Sequence, residues 1–246
     1  MHMKHLKTFL WVGLWSLRLL GQDFQQLTSE AFLTATMTYD THELEQLLDR
    51  LGREADRTHN HRLVYWTAYA SYRNAIAAAE IHQKQPEELK KAGRELSASM
   101  KRLEKLAGLT SEDLALLALM KNVSVLYCSS IRIPIISGEA RRCAESALQA
   151  DGRNPRAWLA LGIRDRHTPE VYGGGQQFVD CFQKAIDLPD TDDAQPGAPS
   201  WGREEAYYYL IEYYLSADRE KAARLLEQGL GEFPEDVRLN HLAKLI

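Results

Sequence analysis

The sequence predicts an all-α protein, a right-handed solenoid of antiparallel helical hairpins ending in a C-terminal capping helix. Three observations carry that expectation. From about Gln22 onward apolar residues recur with the 3.6-residue period of helices, and no convincing alternating strand appears. The breaks between periodic stretches are short, which makes consecutive helices antiparallel neighbours. Along the later helices small residues alternate with aromatic ones, so that two helices can approach closely while large side chains fill the gap to the next pair.

In chain order, residues 1–21 read as a cleaved signal peptide. Lys4 and Lys7 precede a short apolar run, Thr8 to Leu17, and a polar stretch follows from Gln22. The run is too short to span a bilayer, which takes roughly 20 apolar residues. Leu19 and Arg18 are poor fits to a cleavage region ending at Gly21, and the alternative is an N-terminal helix packed on the fold. Cleavage would remove three positive charges and take the formal charge from −4 to −7. Residues 22–246 then form one repeat domain of roughly six hairpin-sized units and a cap, given a repeat of about 34 residues.

Leu44, Leu47, Leu48 and Leu51 mark an amphipathic helix opened by Asp40 and Thr41. Leu63 to Ile81 is a long helix rich in alanine and aromatics that stops before Pro86. Glu87 to Leu106 carries the stripe Leu89, Leu96, Met100, Leu103 and Leu106, with Gly108 after it. Thr110, followed by Glu112 and Asp113, suits an N-cap and an acidic first turn for a helix containing Leu116 to Cys128. Its partner, Glu139 to Ala150, has Ala140, Ala144 and Ala147 on one face. Asn154-Pro155 opens a helix with Trp158, Leu161 and Gly162, and Phe178, Phe182 and Ala185 lie on the next, which ends at Leu188-Pro189. A last round runs from Arg203 to Pro234, and Val237 to Ile246 is the expected cap.

Trp158, Leu161-Gly162, Phe182 and Ala185 form the pattern of the tetratricopeptide repeat, most clearly over Arg156 to Asp187 and well over Glu204 to Glu235. The chain resembles that family. It is also similar to exported bacterial members carrying a TPExxGGG insert, here Thr168-Pro169-Glu170-Val171-Tyr172-Gly173-Gly174-Gly175, and in part to the repeat component associated with TRAP-type solute transporters. The resemblance implies a superhelical stack whose first helices line a concave binding face.

Composition narrows the function classes. The chain of 246 residues is 45% hydrophobic with a net charge of only −4, which excludes a disordered chain and lacks the basic footprint of a nucleic-acid binder. Its three cysteines, Cys128, Cys143 and Cys181, sit in apolar helical patterns and read as buried free thiols rather than a disulfide framework or metal site. Catalytic motifs such as GxSxG, HExxH and the P-loop are missing, and no cofactor or metal is expected.

Three glycines leading into a helix can present backbone N–H groups to an anion. This insert lacks the phosphate-loop lysine and hydroxyl, and a tight crossover with positive φ and close backbone packing is the preferred reading. Asp187 to Asp193 gathers carboxylates but without a calcium-loop register, so a solvated acidic loop is expected. The run His59-Asn60-His61 is read as a cap or loop, and the sequon at Asn122 as accidental.

Partner-contact candidates are Tyr65, Tyr69, Tyr72, Tyr207 and Tyr208, because at 100° per residue these tyrosine clusters cannot all face the core. Arg164, Arg166 and Tyr172 flank the insert, where a carboxylate-bearing peptide end can dock. The competing reading makes the tyrosines inter-repeat packing. The expected function is a non-catalytic protein–protein interaction scaffold in the exported, periplasmic compartment, binding a protein or peptide on its concave face. The alternative is a small-ligand-binding accessory protein of a transport system, which an apolar concave cavity would favour.

Overall fold

The computed structural model describes residues 23–189 and 198–246; the leader expectation for 1–21 and most of the acidic loop lie outside them. Eleven α-helices and no strand occur among the described residues. In order they are α1 (Phe24–Thr38), α2 (His42–Thr58), α3 (His61–Ile81), α4 (Pro86–Glu104), α5 (Ser111–Ser124), α6 (Ile133–Ala150), α7 (Pro155–His167), α8 (Phe178–Asp187), α9 (Arg203–Ala217), α10 (Arg219–Glu232) and α11 (Val237–Leu242).

Helix starts follow local chemistry. Thr110 and Asp113 form a reciprocal capping box on α5, with the Thr110 N–H donating to Asp113 Oδ2 at 2.8 Å and the Asp113 N–H to Thr110 Oγ1 at 3.2 Å. Asn154 accepts from the Arg156 and Ala157 N–H groups, with Pro155 in the first turn of α7 where no donor is needed. The His59-Asn60-His61 run is a helix break as expected: His59 ends α2 in the left-handed region and Asn60 caps α3 through the Leu63 N–H.

The helices pack as five hairpins, α1/α2 to α9/α10, with α11 on the last. Each first helix also packs on the first helix of the next hairpin, and each second helix on the first helix that follows it. The first helices therefore form an inner layer and the second helices an outer one, which is a solenoid of tetratricopeptide-like hairpins.

The unit count is lower than expected. Residues allotted to a sixth hairpin are spent in long helices, 21 residues in α3 and 19 in α4, and in extended connections after α5, α7 and α8. The α5–α6 connection holds two short 3-10 turns, Val125–Tyr127 and Ser130–Arg132, so α5 ends before Cys128 and α6 starts ahead of Glu139. All three cysteines are free, but only Cys181 is fully buried; Cys128 and Cys143 are half-buried, and Cys128 lies in that connection.

The repeat signature has a direct packing cause. A methyl group on Gly162 would overlap the Phe182 ring, so the glycine sets how closely α7 and α8 cross. Phe182 then stacks on Tyr209, with centroids 5.1 Å apart, and ties the fourth hairpin to the fifth.

Candidate ligand-binding cavity

The inner layer curls far enough for its ends to meet. Tyr69 of α3 stacks against Trp201, just before α9, at 4.5 Å between centroids, and Tyr72 lies 6.2 Å from the same ring. Tyr72 donates its hydroxyl to Glu205 Oε2 at 3.1 Å, and Arg73 forms a buried ion pair with the same carboxylate. Gln25 of α1 exchanges two hydrogen bonds of 2.9 Å with Ser200. These contacts join the first two hairpins to the fifth and turn the concave face into a cup.

The cup has a volume of about 1740 Å³. Phe32 and Leu33 of α1, Ile76 of α3, Leu119 and Val123 of α5, Ile163 of α7 and Tyr208 and Tyr209 of α9 supply apolar and aromatic wall. Its rim carries exposed Leu126 and Tyr172 from the two long connections and Ile133 at the start of α6, together with Glu80. Helices of the inner layer bury more than one face, and α3 buries nearly all of its side chains from Leu63 to Ala78. Such a helix is covered on nearly every side, so its sequence does not reveal which stripe faces the cavity.

The structure separates the sequence candidates into two groups. Tyr72, Arg164, Tyr172 and Tyr208 line the cup. Tyr65, Tyr69 and Tyr207 are buried in the packed interior, where Tyr65 meets Trp66, Tyr69 meets Trp201, and the Tyr207 hydroxyl bonds Glu232. Arg166 pairs with Glu212 at 2.6 Å and donates to the Tyr209 carbonyl, outside the cup. Sequence reasoning missed Arg73, Trp201, Glu204, Glu205 and Arg238, which gather on one wall.

On that wall Arg238 approaches Asp236 at 3.4 Å and Glu205 at 3.9 Å. Glu204 accepts the Gly202 N–H at 2.7 Å. Burial, and then the neighbouring Glu205 charge, pushes the Glu204 carboxyl from its ordinary 4.5 up to about 7. A raised carboxyl pKa means that the folded state holds the proton more tightly than the unfolded one. Its contribution is therefore complete below pH 4.5 and is lost as pH rises through about 7. Glu204→Gln removes that loss. The variant is expected to exceed the parent by about 2 kcal/mol at pH 8 and to match it at pH 4, less than full conversion of the shift because the side chain is partly exposed. Thermal unfolding at both pH values checks this, and an equal effect at the two would contradict it.

The glycine insert is not an anion cradle. The Gly173, Gly174 and Gly175 N–H groups donate to the carbonyls of Glu170, Pro169 and Asp165, at 2.8, 3.3 and 2.9 Å. Among the described residues no group of His, Cys, Asp or Glu side chains could hold a metal ion, and no helix is long and apolar enough to cross a membrane.

No family model matches the chain, and no curated protein matches it by sequence. Among solved structures it is similar to the HusA haemophore from Porphyromonas gingivalis, with TM-score 0.54 and 22% identity over 78% of this chain and 93% of that one. It is also similar to TTC0263, a thermophilic TPR protein of Thermus thermophilus, with TM-score 0.50 and 16% identity over 89% and 98% of the two chains. Likeness at these identities speaks for the fold and not for the ligand. The chain has a tetratricopeptide-like helical-repeat fold.

Proposed function

We propose that the protein is a non-catalytic interaction protein of the exported, periplasmic compartment that holds an apolar segment of a partner protein in its cup. The observation that carries the reading is the cup itself, an apolar and aromatic concave wall of about 1740 Å³, larger than the usual small-molecule pocket. Solenoids of this kind bind along the face lined by their first helices. The leader-like residues 1–21 support export, and cell fractionation tests it: a cytoplasmic protein keeping those residues would end that part of the reading.

A photo-crosslinking residue in place of Tyr208, on the wall, is expected to label one stretch of one partner. The same residue in place of Arg141, exposed on the outer layer, is expected to label nothing reproducible. Val123→Trp, which projects an indole from α5 into the cup, should weaken the labelling. Labelling unchanged in Val123→Trp would remove the cavity from the proposal.

A second reading is favoured by the closure of the cup. A segment lying along an open groove does not need the seam made by Trp201, Glu205 and Ser200, whereas a compact apolar molecule is better enclosed by it. The likeness in fold to a protein described as a haemophore is in keeping with this. Native mass spectrometry of the purified protein distinguishes the readings: a bound small molecule depleted in Val123→Trp supports carriage of a ligand. Service to a transport system would further require that a transporter component co-purifies.

A further inference from the structure

We infer that whatever occupies the cup presents a carboxylate to Arg164. The inference rests on the cup being the binding site, and names the chemistry of its occupant.

Three arginines reach the cavity wall. Arg73 and Arg238 face the carboxylates of Glu205 and Asp236. Arg164, on the α7 side, has no carboxylate within 4.0 Å among the described residues. Among the described residues its side chain makes one hydrogen bond, from Nε to the Ser137 carbonyl at 3.2 Å. That bond anchors the guanidinium and leaves its two terminal nitrogens, with four N–H donors, for other acceptors.

The surroundings make those donors consequential. Ile133, Pro134, Ile163 and Tyr172 line the cup with Arg164. Water in the cup can satisfy the guanidinium. An apolar occupant displaces that water, and an unsatisfied charged donor then opposes binding. An occupant with an acceptor at that place avoids the penalty, and a carboxylate matches the planar fork in a paired geometry that hydroxyls and amides do not. Glu204 and Glu205 of α9 face Arg73 and Arg238, and Glu30, Glu80, Glu235 and Asp236 also line the cup, so it is Arg164 locally, and not the net charge of the cavity, that would hold a carboxylate. Two sources share the chemistry: the free carboxyl terminus of a partner segment, and the acid head of a small amphiphile.

Isothermal titration of the purified protein with two probe pairs tests the inference. One pair is dodecanoate and dodecanol; the other is an N-acetylated apolar hexapeptide with a free carboxyl terminus and its C-terminal amide. At least one acid is expected to bind tenfold or more tightly than its neutral partner. Arg164→Gln should remove that preference by weakening the acid, while the neutral probe, no longer opposed by a stranded charge, binds at least as tightly as before; Arg164→Lys should keep part of the preference. The pair that shows the preference identifies the source. A preference that persists in Arg164→Gln, or none in the parent while Val123→Trp still weakens binding of the neutral probes, overturns the arginine pairing alone. Failure of all four probes to bind overturns the pairing and the cup as a site together.

Discussion

Glu205→Ala is expected to cost about 3–5 kcal/mol, because it strands the buried Arg73 guanidinium without its counter-charge. At this chain length such a loss corresponds to a fall in melting temperature of roughly 10 °C. The same carboxylate also receives the Tyr72 hydroxyl at 3.1 Å and faces Arg238 at 3.9 Å, so three groups lose a partner at once. The consequence is not only stability. The seam between the first two hairpins and the fifth depends on this carboxylate and on the Tyr69–Trp201 stack. Loosening it should expose Trp201, now 1% accessible, and shift its fluorescence to the red. Calorimetry and fluorescence on one sample check both parts. Arg73→Met with Glu205→Leu should recover much of the lost stability, since an apolar pair of similar volume needs no counter-charge. A double variant as unstable as Glu205→Ala would mean that packing against Tyr72 and Arg238, rather than a stranded charge, sets the loss.

That seam also marks where the sequence stops being legible. Arg73 and Glu205 are 132 residues apart, and Gln25 and Ser200 are 175 apart. A periodic pattern reports which face of a helix is apolar, but not how far a stack of hairpins curls before its ends meet. The repeat itself was legible because its signature residues report local packing. Gly162 must lack a side chain for Phe182 to fit, and that requirement stands in the sequence whatever the rest of the chain does.

The site was half legible for a related reason. Arg164 and Arg166 lie two residues apart, which on a helix turns them by about 200° to nearly opposite sides. Both flank the insert and both qualify by charge. Only packing separates the one that reaches the cup from the one that pairs with Glu212. The tyrosines of α3 divide similarly. Tyr72 reaches the cavity while Tyr65 and Tyr69 are interior, because α3 is covered on nearly every side by α1, α2, α4 and α5.

Gly174→Ala is expected to destabilise the protein by about 2–4 kcal/mol, well above the effect at either neighbouring glycine of the insert. Gly173 and Gly175 have φ of 80° and 76°, and alanine there meets the ordinary cost of a left-handed backbone, roughly 1–2 kcal/mol. Gly174 does not have positive φ; its constraint is space, since a methyl group would run into the Thr168 carbonyl. Backbone atoms cannot rotate aside as a side chain does, so the turn must open. Opening it reaches further than the turn. The Gly175 N–H holds the Asp165 carbonyl at 2.9 Å, and the Asp165 carboxylate caps α8 through the Gln177 and Phe178 N–H groups at 2.7 and 2.9 Å. Displacement of the insert therefore uncaps α8 at the point where Phe178 and Phe182 enter the core. Hydrogen exchange should show lost protection at Gln177 and Phe178 in Gly174→Ala, with protection kept in Gly173→Ala, whose Cβ would meet open space. Equal losses in the two variants would make backbone conformation, rather than close approach, the reason for the central glycine.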